Sequence, residues 1–256
     1  MLTAVGRFTL GMCAQTGGIL KLSGESILLL ARLRRNPKRL LDQIAFVGAD
    51  TVPITIVLSF FVGMVLALQS GYLLARYGIE GKVGALVGLS IVKELGPVIT
   101  AIILAARAGA SMATSLGTMV VTEEVDALRS FGINPIEFLA VPRVLACLIS
   151  LPFLVVLADA VGMCGGAVIS KSYIGLSYQT YWDSVFSNVD LKEILNGVVK
   201  GAVFGLLIGA ISCRAGLAST GGAEGVGLAT TRAVVASLIA ILIFDYFITR
   251  FLIYFD

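Results

Sequence analysis

The chain has 256 residues, of which 57% are hydrophobic and 14% charged, with a formal net charge of +3. A soluble domain carries about 25% charged and 45–50% apolar residues, and a soluble core of this size cannot hide so much apolar surface. The composition excludes an ordinary soluble protein and indicates an all-α integral membrane protein. The sequence also lacks histidine, the commonest general base and a frequent zinc ligand. We therefore predict no metal site and no catalytic residue in this chain.

Residues 1–40 are predicted to form an interfacial amphipathic helix followed by a basic linker. Charged residues interrupt the apolar positions of the first thirty residues, so neither a spanning helix nor a signal-peptide core is continuous there. Because Lys and Arg in short loops stay in the cytoplasm, the basic linker places the N-terminus inside and, after five spans, the C-terminus outside. Its basic residues are Arg32, Arg34, Arg35, Lys38 and Arg39.

Five apolar stretches reach the length of about 20 residues that a membrane-spanning helix requires. They belong to a single domain over residues 1–256. The predicted spans cover residues 52–75, 83–106, 141–170, 194–213 and 233–255.

Small residues recur at every fourth position in two regions, where they share one face of a helix and let two backbones approach closely. This pattern favours packing within the chain, while a homodimer interface stays open as the alternative. The residues are Ala101, Ala105, Gly109, Ala113 and Gly117 in the first region and Gly201, Gly205 and Gly209 in the second.

Charged residues inside the predicted spans are candidates for function, because charge is costly there. Lys93 and Glu94 are adjacent, so they point about 100° apart and do not simply neutralise each other. Either each pairs with another helix, or they form the polar edge of a substrate cavity, which the position favours. A structural role is favoured for Asp159, Asp245, Lys200 and Arg250, and the last two are expected to extend towards the outer surface.

Residues 122–134 predict a short amphipathic helix in the cytoplasmic loop between the second and third spans. Thr122 is a candidate N-cap, and the acidic Glu123 and Glu124 follow it in the first turn. Gly132 and Pro135 end the helix. This helix either lies against the lipid headgroups or docks on a protein partner. Anionic lipid would repel its acidic first turn, so docking on a protein is favoured at least as strongly.

Motifs of nucleotide hydrolysis and covalent catalysis are absent from the sequence. There is no G-x-x-x-x-G-K-[ST] phosphate loop, no G-x-S-x-G and no H-E-x-x-H, which are typical of ATPases, hydrolases and metalloproteases. If the protein transports a substrate, either another chain hydrolyses the nucleotide or an ion gradient supplies the energy.

Three stretches together resemble the MlaE family of permease subunits, which serve ABC lipid transporters associated with MCE proteins. They are residues 63–69, residues 93–143 with their KELGP, TEEVDAL and VPR segments, and residues 221–235 followed by Asp245. The resemblance covers essentially the whole chain in order and spacing.

The resemblance implies a homodimeric permease in the bacterial inner (cytoplasmic) membrane. It also implies an MlaF-like ATPase that binds ATP and Mg, an MlaB-like STAS-domain protein, and an MlaD-like MCE hexamer outside. The substrate would be phospholipid moved between the inner membrane and the MCE protein, in support of outer-membrane lipid asymmetry. The chain itself would bind no cofactor or nucleic acid.

The resemblance also assigns site residues. The lipid pocket would involve Leu66, Leu74, Tyr77, Lys93, Glu94 and Leu95. The loop helix would dock on the ATPase through Glu123, Glu124, Asp126 and Arg129. Three positions depart from the common pattern of the family, with Lys93 in place of Arg, Ser115 in place of Glu and Glu124 in place of Gln.

Two other functions compete with this prediction. An ion-coupled secondary transporter could be built around Lys93, Glu94 and Asp245, although such folds commonly consist of repeated halves and these spans show no repeat. A membrane-embedded enzyme would need an unusual acid–base pair, because histidine and a recognised nucleophile motif are missing.

Overall fold

The computed structural model describes residues 37–255 together with Gly17, Gly18 and Gly24. The interfacial helix predicted for residues 1–40 therefore lies almost entirely outside the described residues, as do Arg32, Arg34 and Arg35. Between residues 37 and 255 the chain forms α-helices and no strand.

The α-helices are numbered in chain order over this range. They are α1 (Pro37–Val47), α2 (Val52–Ala75), α3 (Val83–Ser90), α4 (Gly96–Leu104), α5 (Ala110–Val121), α6 (Glu124–Ser130), α7 (Val141–Ile169), α8 (Tyr178–Phe186), α9 (Leu191–Leu217) and α10 (Gly222–Phe255). Turns of π-helix join α3 to α4, join α4 to α5, and flank α7; they are Ile91–Leu95, Ala105–Gly109, Ile136–Ala140 and Ser170–Ile174.

Five helical segments of the described chain are long and apolar enough to cross a membrane, which confirms the predicted number of spans. They are Lys38–Ala75, Glu80–Val121, Ile136–Ile174, Leu191–Leu217 and Gly222–Leu252, called spans 1 to 5.

Span 2 continues well beyond the predicted end at residue 106. Arg107 does not end it because its guanidinium donates to the Phe46 carbonyl and to Thr51 Oγ1 and pairs with Asp50 of span 1 at 3.4 Å. At about 1.5 Å per residue, its 42 residues are about twice as long as a hydrocarbon core of about 30 Å. Part of this helix therefore extends out of the bilayer, on the side that carries α6.

Close contacts between helices show that the spans alternate in direction. Thr114 contacts Thr230 and Glu94 contacts Thr249, so spans 2 and 5 are antiparallel. Gly209 lies against Val144, and Gly201 against Pro152, so spans 3 and 4 are antiparallel as well. The C-terminal end of span 2 and the start of span 3 consequently lie at the same end of the bundle as α6.

The small-residue stripes pack within the chain, which confirms the favoured interpretation. A Cβ atom added to Gly109 would lie 2.9 Å from Ser212 Oγ, and one added to Gly209 would lie 2.8 Å from Val144 Cα. A Cβ added to Gly205 would collide with the carbonyl of Cys147. These glycines let α9 lie directly against α5 and α7.

We expect Gly205→Ala to lower the free energy of unfolding by about 1–3 kcal/mol, because the methyl group meets backbone that cannot move aside cheaply. Gly227→Ala is the matched control: nothing lies within 4 Å of a Cβ there, and alanine favours a helix by about 1 kcal/mol over glycine. Thermal unfolding in detergent measures both variants. Equal behaviour of the two would contradict the close packing of α9 on α7.

Candidate functional site

A buried lysine joins three spans at the centre of the candidate site. The side chain of Lys200 in α9 is only 2% exposed. Its Nζ donates to Glu94 Oε2 at 2.8 Å, to Asp245 Oδ1 at 3.0 Å and to the Lys93 carbonyl at 2.8 Å. One ammonium group thus uses its three hydrogens on spans 2 and 5. We call Glu94, Lys200 and Asp245 the charged triad.

The backbone of span 2 offers Lys200 a carbonyl group as a hydrogen-bond acceptor. In an α-helix the carbonyl of Lys93 would accept from the N–H group of residue 97, four positions on. Residue 97 is proline, which has no N–H group, and the π turn Ile91–Leu95 ends two residues before it. The carbonyl left free by Pro97 is the one to which Lys200 donates.

Lys93 and Glu94 turn to different partners, as their separation around the helix requires. Lys93 Nζ pairs with Glu193 Oε1 of span 4 at 2.9 Å, and 45% of the Lys93 side chain is exposed. Glu94 accepts from Lys200 through one oxygen and from the Thr249 hydroxyl at 3.0 Å through the other. Both residues therefore pair with other helices, one of the two roles considered for them.

Two cavities meet at Glu94, which supports the second role considered for it, the polar edge of a substrate cavity. A groove of about 1150 Å³ runs along the C-terminal half of α10, with Glu94 and Asp245 among its lining residues. A smaller cavity of about 320 Å³ holds Lys93, Glu94, Glu193 and Lys200. The groove wall is mainly apolar and aromatic, formed by Leu242, Tyr246, Phe247, Phe251 and Tyr254. An apolar wall beside a charged base suits an amphiphilic ligand.

The remaining residues predicted for lipid binding do not line either cavity. Leu74 is buried and Leu66 partly buried in a separate cluster, where they pack with Val87 and Ala167 among others. Tyr77 is 72% exposed beyond the end of α2. Leu95 is half-buried beside Glu94. Within one subunit the structure brings together Lys93 and Glu94 from the predicted set, and leaves Leu66, Leu74 and Tyr77 elsewhere.

The sequence prediction favoured a structural role for Lys200 and Asp245 and did not include them among the lipid-binding residues, although Asp245 belonged to the ion-coupled alternative. The expectation that Lys200 extends towards the outer surface is wrong, because its ammonium group is buried in the charged triad. Its partners Glu94 and Asp245 lie 106 and 45 positions away along the chain. No polar residue close to Lys200 in sequence therefore indicated this pairing. The available signal was the presence of charged residues well inside spans 2, 4 and 5, since such charges are expected to pair across helices.

Asp159 in α7 is a further charged residue within the bundle, and it lies beside the candidate site. Its side chain is 4% exposed, and neither carboxyl oxygen has a hydrogen-bond partner among the described residues. It lies directly against Gly96, where a methyl group would collide with Oδ1. Glycine at position 96 is thus required by this close approach.

We expect Asp159→Asn to leave the melting temperature unchanged or raise it, because an amide is cheaper to bury than an unpaired carboxylate. The matched change Asp245→Asn weakens a charge-assisted hydrogen bond to Lys200 and should lower the free energy of unfolding by about 1.5–3 kcal/mol. Thermal unfolding of the two purified variants makes the comparison. An equal loss at both positions would show that Asp159 has a stabilising partner.

The predicted loop helix is present as α6, with a different start. The N-cap is Glu123, not Thr122, and its backbone adopts the left-handed conformation at φ 61°. The Thr122 hydroxyl instead donates to the Thr118 carbonyl and to Glu124 Oε1, both at 3.0 Å. At the other end Gly132 has φ 73°, which fits its predicted role in ending the helix.

Val125 and Leu128 anchor α6 to the bundle while its acidic face stays exposed. Val125 is 3% exposed and packs with Leu116, Leu139 and Val144. Asp126 and Arg129 form an ion pair at 2.6 Å with both side chains about two-thirds exposed. Phe131, just after the helix, is 81% exposed. The helix therefore presents charged side chains and an aromatic ring away from the chain's own core.

Comparison with known proteins places the chain in a family. The family described as "Permease MlaE" matches residues 40–251. A probable ABC transporter permease protein of Rickettsia typhi is 40% identical over 97% of this chain and 96% of its own length. A protein of the same description from Synechocystis is 40% identical over 89% and 87%. The Arabidopsis thaliana protein TRIGALACTOSYLDIACYLGLYCEROL 1, chloroplastic, is 36% identical over 90% of this chain and 66% of its own length. The chain belongs to the MlaE permease family and is a multi-pass membrane permease related to ABC transporter permeases.

Proposed function

We propose that this chain is the permease subunit of an ABC transporter that moves phospholipids between the bacterial inner membrane and a periplasmic MCE protein. The observation that carries the proposal is the groove of about 1150 Å³ with the charged triad at its base. Acyl chains fit the aromatic wall of α10, while polar and charged groups at its base can meet a lipid headgroup. The Arabidopsis relative is named for a glycerolipid, which agrees with a lipid substrate.

Lys93, which lines the smaller cavity, can meet a phosphate, as can Arg250, which lines the groove. The pairing of Lys93 with Glu193 is half-exposed, so the pair is weak and the ammonium group of Lys93 can exchange partners. Lys200, in contrast, has all three hydrogens bound and is buried. We therefore assign phosphate contact to Lys93 and Arg250, and the positioning of the two carboxylates of the charged triad to Lys200.

The least buried spans support a homodimer. In an apolar stretch of 18 residues from each span, only 28% is buried inside the chain in span 1 and 22% in span 5, against 50% or more in the other three. The groove opens on α10, and the predicted pocket residue Tyr77 is exposed at the end of α2. A pocket that closes between two copies would bring these faces together and include Leu66, Leu74, Tyr77 and Leu95 in its surroundings.

Energy is proposed to come from a separate MlaF-like ATPase, which binds ATP and Mg and docks on α6. The acidic and basic side chains of α6 point away from the core, and Phe131 offers an apolar contact beside them. Hydrolysis would alternate the dimer between pocket-open and pocket-collapsed states. An MlaB-like STAS protein on the cytoplasmic side and an MlaD-like MCE hexamer at the opposite end complete the proposed complex.

We expect Glu123→Lys to abolish co-purification of the ATPase while the permease still folds. The change reverses the charge at an exposed position. Glutamate and lysine are equally strained by the left-handed backbone conformation of residue 123, so the substitution adds no new strain. Glu123→Gly is the matched control, since glycine removes the charge but suits φ 61°. It should weaken association less than lysine does. Unchanged ATPase binding by the lysine variant would argue against docking through α6.

The competing function is an ion-coupled secondary transporter, which buried membrane charges such as the triad also suit. Reconstitution separates the two functions. In proteoliposomes we expect labelled phospholipid to move only when both the ATPase and ATP are present. Movement by this chain alone under a proton or sodium gradient would support the ion-coupled alternative and overturn the proposal.

A further inference from the structure

Another pocket, smaller than the two cavities at Glu94, lies at the opposite end of the bundle from the groove, between α1 and the start of α7. It has a volume of about 210 Å³, and its lining includes Arg39, Asp42, Gln43, Phe138 and Arg143. The guanidinium of Arg39 stacks on the ring of Phe138 at 3.7 Å from its centroid. The pocket shares no lining residue with the groove or with the cavity at Glu94.

The lining of this pocket carries two positive charges and one negative charge. No ion pair formed among residues 37–255 engages Arg39 or Arg143. Among residues 37–255, Arg143 donates one N–H group to the Leu139 carbonyl at 2.7 Å, and a guanidinium has five such donors. The other guanidinium stacks on Phe138 through its flat face, a contact that does not use its N–H groups. Asp42 supplies one negative charge against the two positive ones.

The position of the pocket along the helices fits the headgroup layer of a membrane. Residues Val52–Ala75 of α2 are 24 in number, enough to cross a bilayer alone. The preceding α1 therefore lies at the edge of the hydrocarbon or beyond it. Leu41, next to Asp42, is 61% exposed, and an exposed apolar side chain beside arginines is typical of a helix that contacts lipid.

We propose that Arg39 and Arg143 bind the phosphate of an anionic phospholipid, at a site separate from the transport groove. Two guanidiniums offer the forked donor geometry that a phosphate oxygen pair matches. The bound lipid would fasten α1 to the start of α7, immediately after the loop that contains α6. This inference does not depend on the transported substrate, because the two sites have different residues and lie at different ends of the bundle.

The test is photocrosslinking of the full chain in nanodiscs that contain phosphatidylglycerol with a photoreactive headgroup in a phosphatidylcholine background. Peptide mapping locates the adduct, which we expect on residues 38–45 and 136–143. Arg39→Gln combined with Arg143→Gln should reduce this adduct about thirtyfold, since each basic residue at a membrane surface contributes about a fivefold attraction. Lys82→Gln, at the opposite end of the bundle, is the control and should leave the adduct unchanged.

Two further variants keep both arginines and so do not depend on the folding of the double variant. Asp42→Asn removes the negative charge of the pocket and should increase the adduct about fivefold, and Gln43→Glu should decrease it by a similar factor. An adduct that none of these changes alters would overturn the proposal. So would full competition by millimolar inorganic phosphate, which would assign the site to the free anion. Loss of ATPase binding with an unchanged adduct would instead show that the pocket is a protein interface.

Discussion

Lys200→Met is expected to lower the free energy of unfolding by about 3 kcal/mol, because removal of one partner leaves buried charge uncompensated. The loss should be at the lower end of the range for such pairs, since the Glu94 side chain is 40% exposed to the cavities beside it. The same change should empty the groove of phospholipid. Without the ammonium group, Glu94 and Asp245 repel each other and the base of the groove opens.

A triple variant separates lost packing from lost charge balance. Lys200→Met combined with Glu94→Gln and Asp245→Asn removes all three charges and should recover most of the stability that the single change loses, since an uncharged replacement of a buried ion pair is often neutral. Thermal unfolding in detergent measures stability, and mass spectrometry of retained lipids measures occupancy. If the single and triple variants are equally unstable, the charged triad does not hold the three spans together.

Leu242→Glu is expected to reduce phospholipid retention at least tenfold. Leu242 belongs to the apolar wall of the groove, so bound acyl chains would bury the new carboxylate, and an unpaired charge strongly resists burial. The reduction should appear as less lipid per protein in the purified permease, with ATPase association through α6 unchanged.

Ile239→Glu provides the matched control for this change. Ile239 lies three residues earlier on α10 and is 54% exposed, close to the 60% of Leu242, but it is not part of the groove lining. Both glutamates carry a similar penalty for insertion into the membrane, and only the one at 242 should displace lipid. Equal retention by the two variants would contradict the assignment of the groove as the lipid site.

The helical architecture was largely predictable from the sequence because each span is a local property. A run of about 20 apolar residues requires no partner to identify it, and the described part of the chain contains five such helices. Boundaries were less predictable where long-range contacts extend a helix. The predicted span 2 ended at residue 106, yet the Phe46 carbonyl and Asp50 accommodate the charge of Arg107 and the helix continues to Val121.

The candidate site was predictable only in part, for a related reason. Lys93, Glu94 and Pro97 are neighbours in sequence, so their unusual chemistry inside a span was visible at once. Lys200 and Asp245 complete the triad from two other helices, and this pairing depends on how spans 2, 4 and 5 pack. The start of α6 was also not predicted. Its N-cap, Glu123, has a left-handed backbone conformation, which is rare for residues other than glycine, asparagine and aspartate.

The central claim is that the groove beside the charged triad carries phospholipid in an ABC transporter powered by another chain. The most direct measurement is mass spectrometry of the lipids that remain bound to the purified complex, comparing the wild-type chain with Lys200→Met. The proposed function predicts retained phospholipid in the wild type and a large loss in the variant. A wild-type complex that retains no phospholipid, or retains the same amount after the triad is broken, would contradict it.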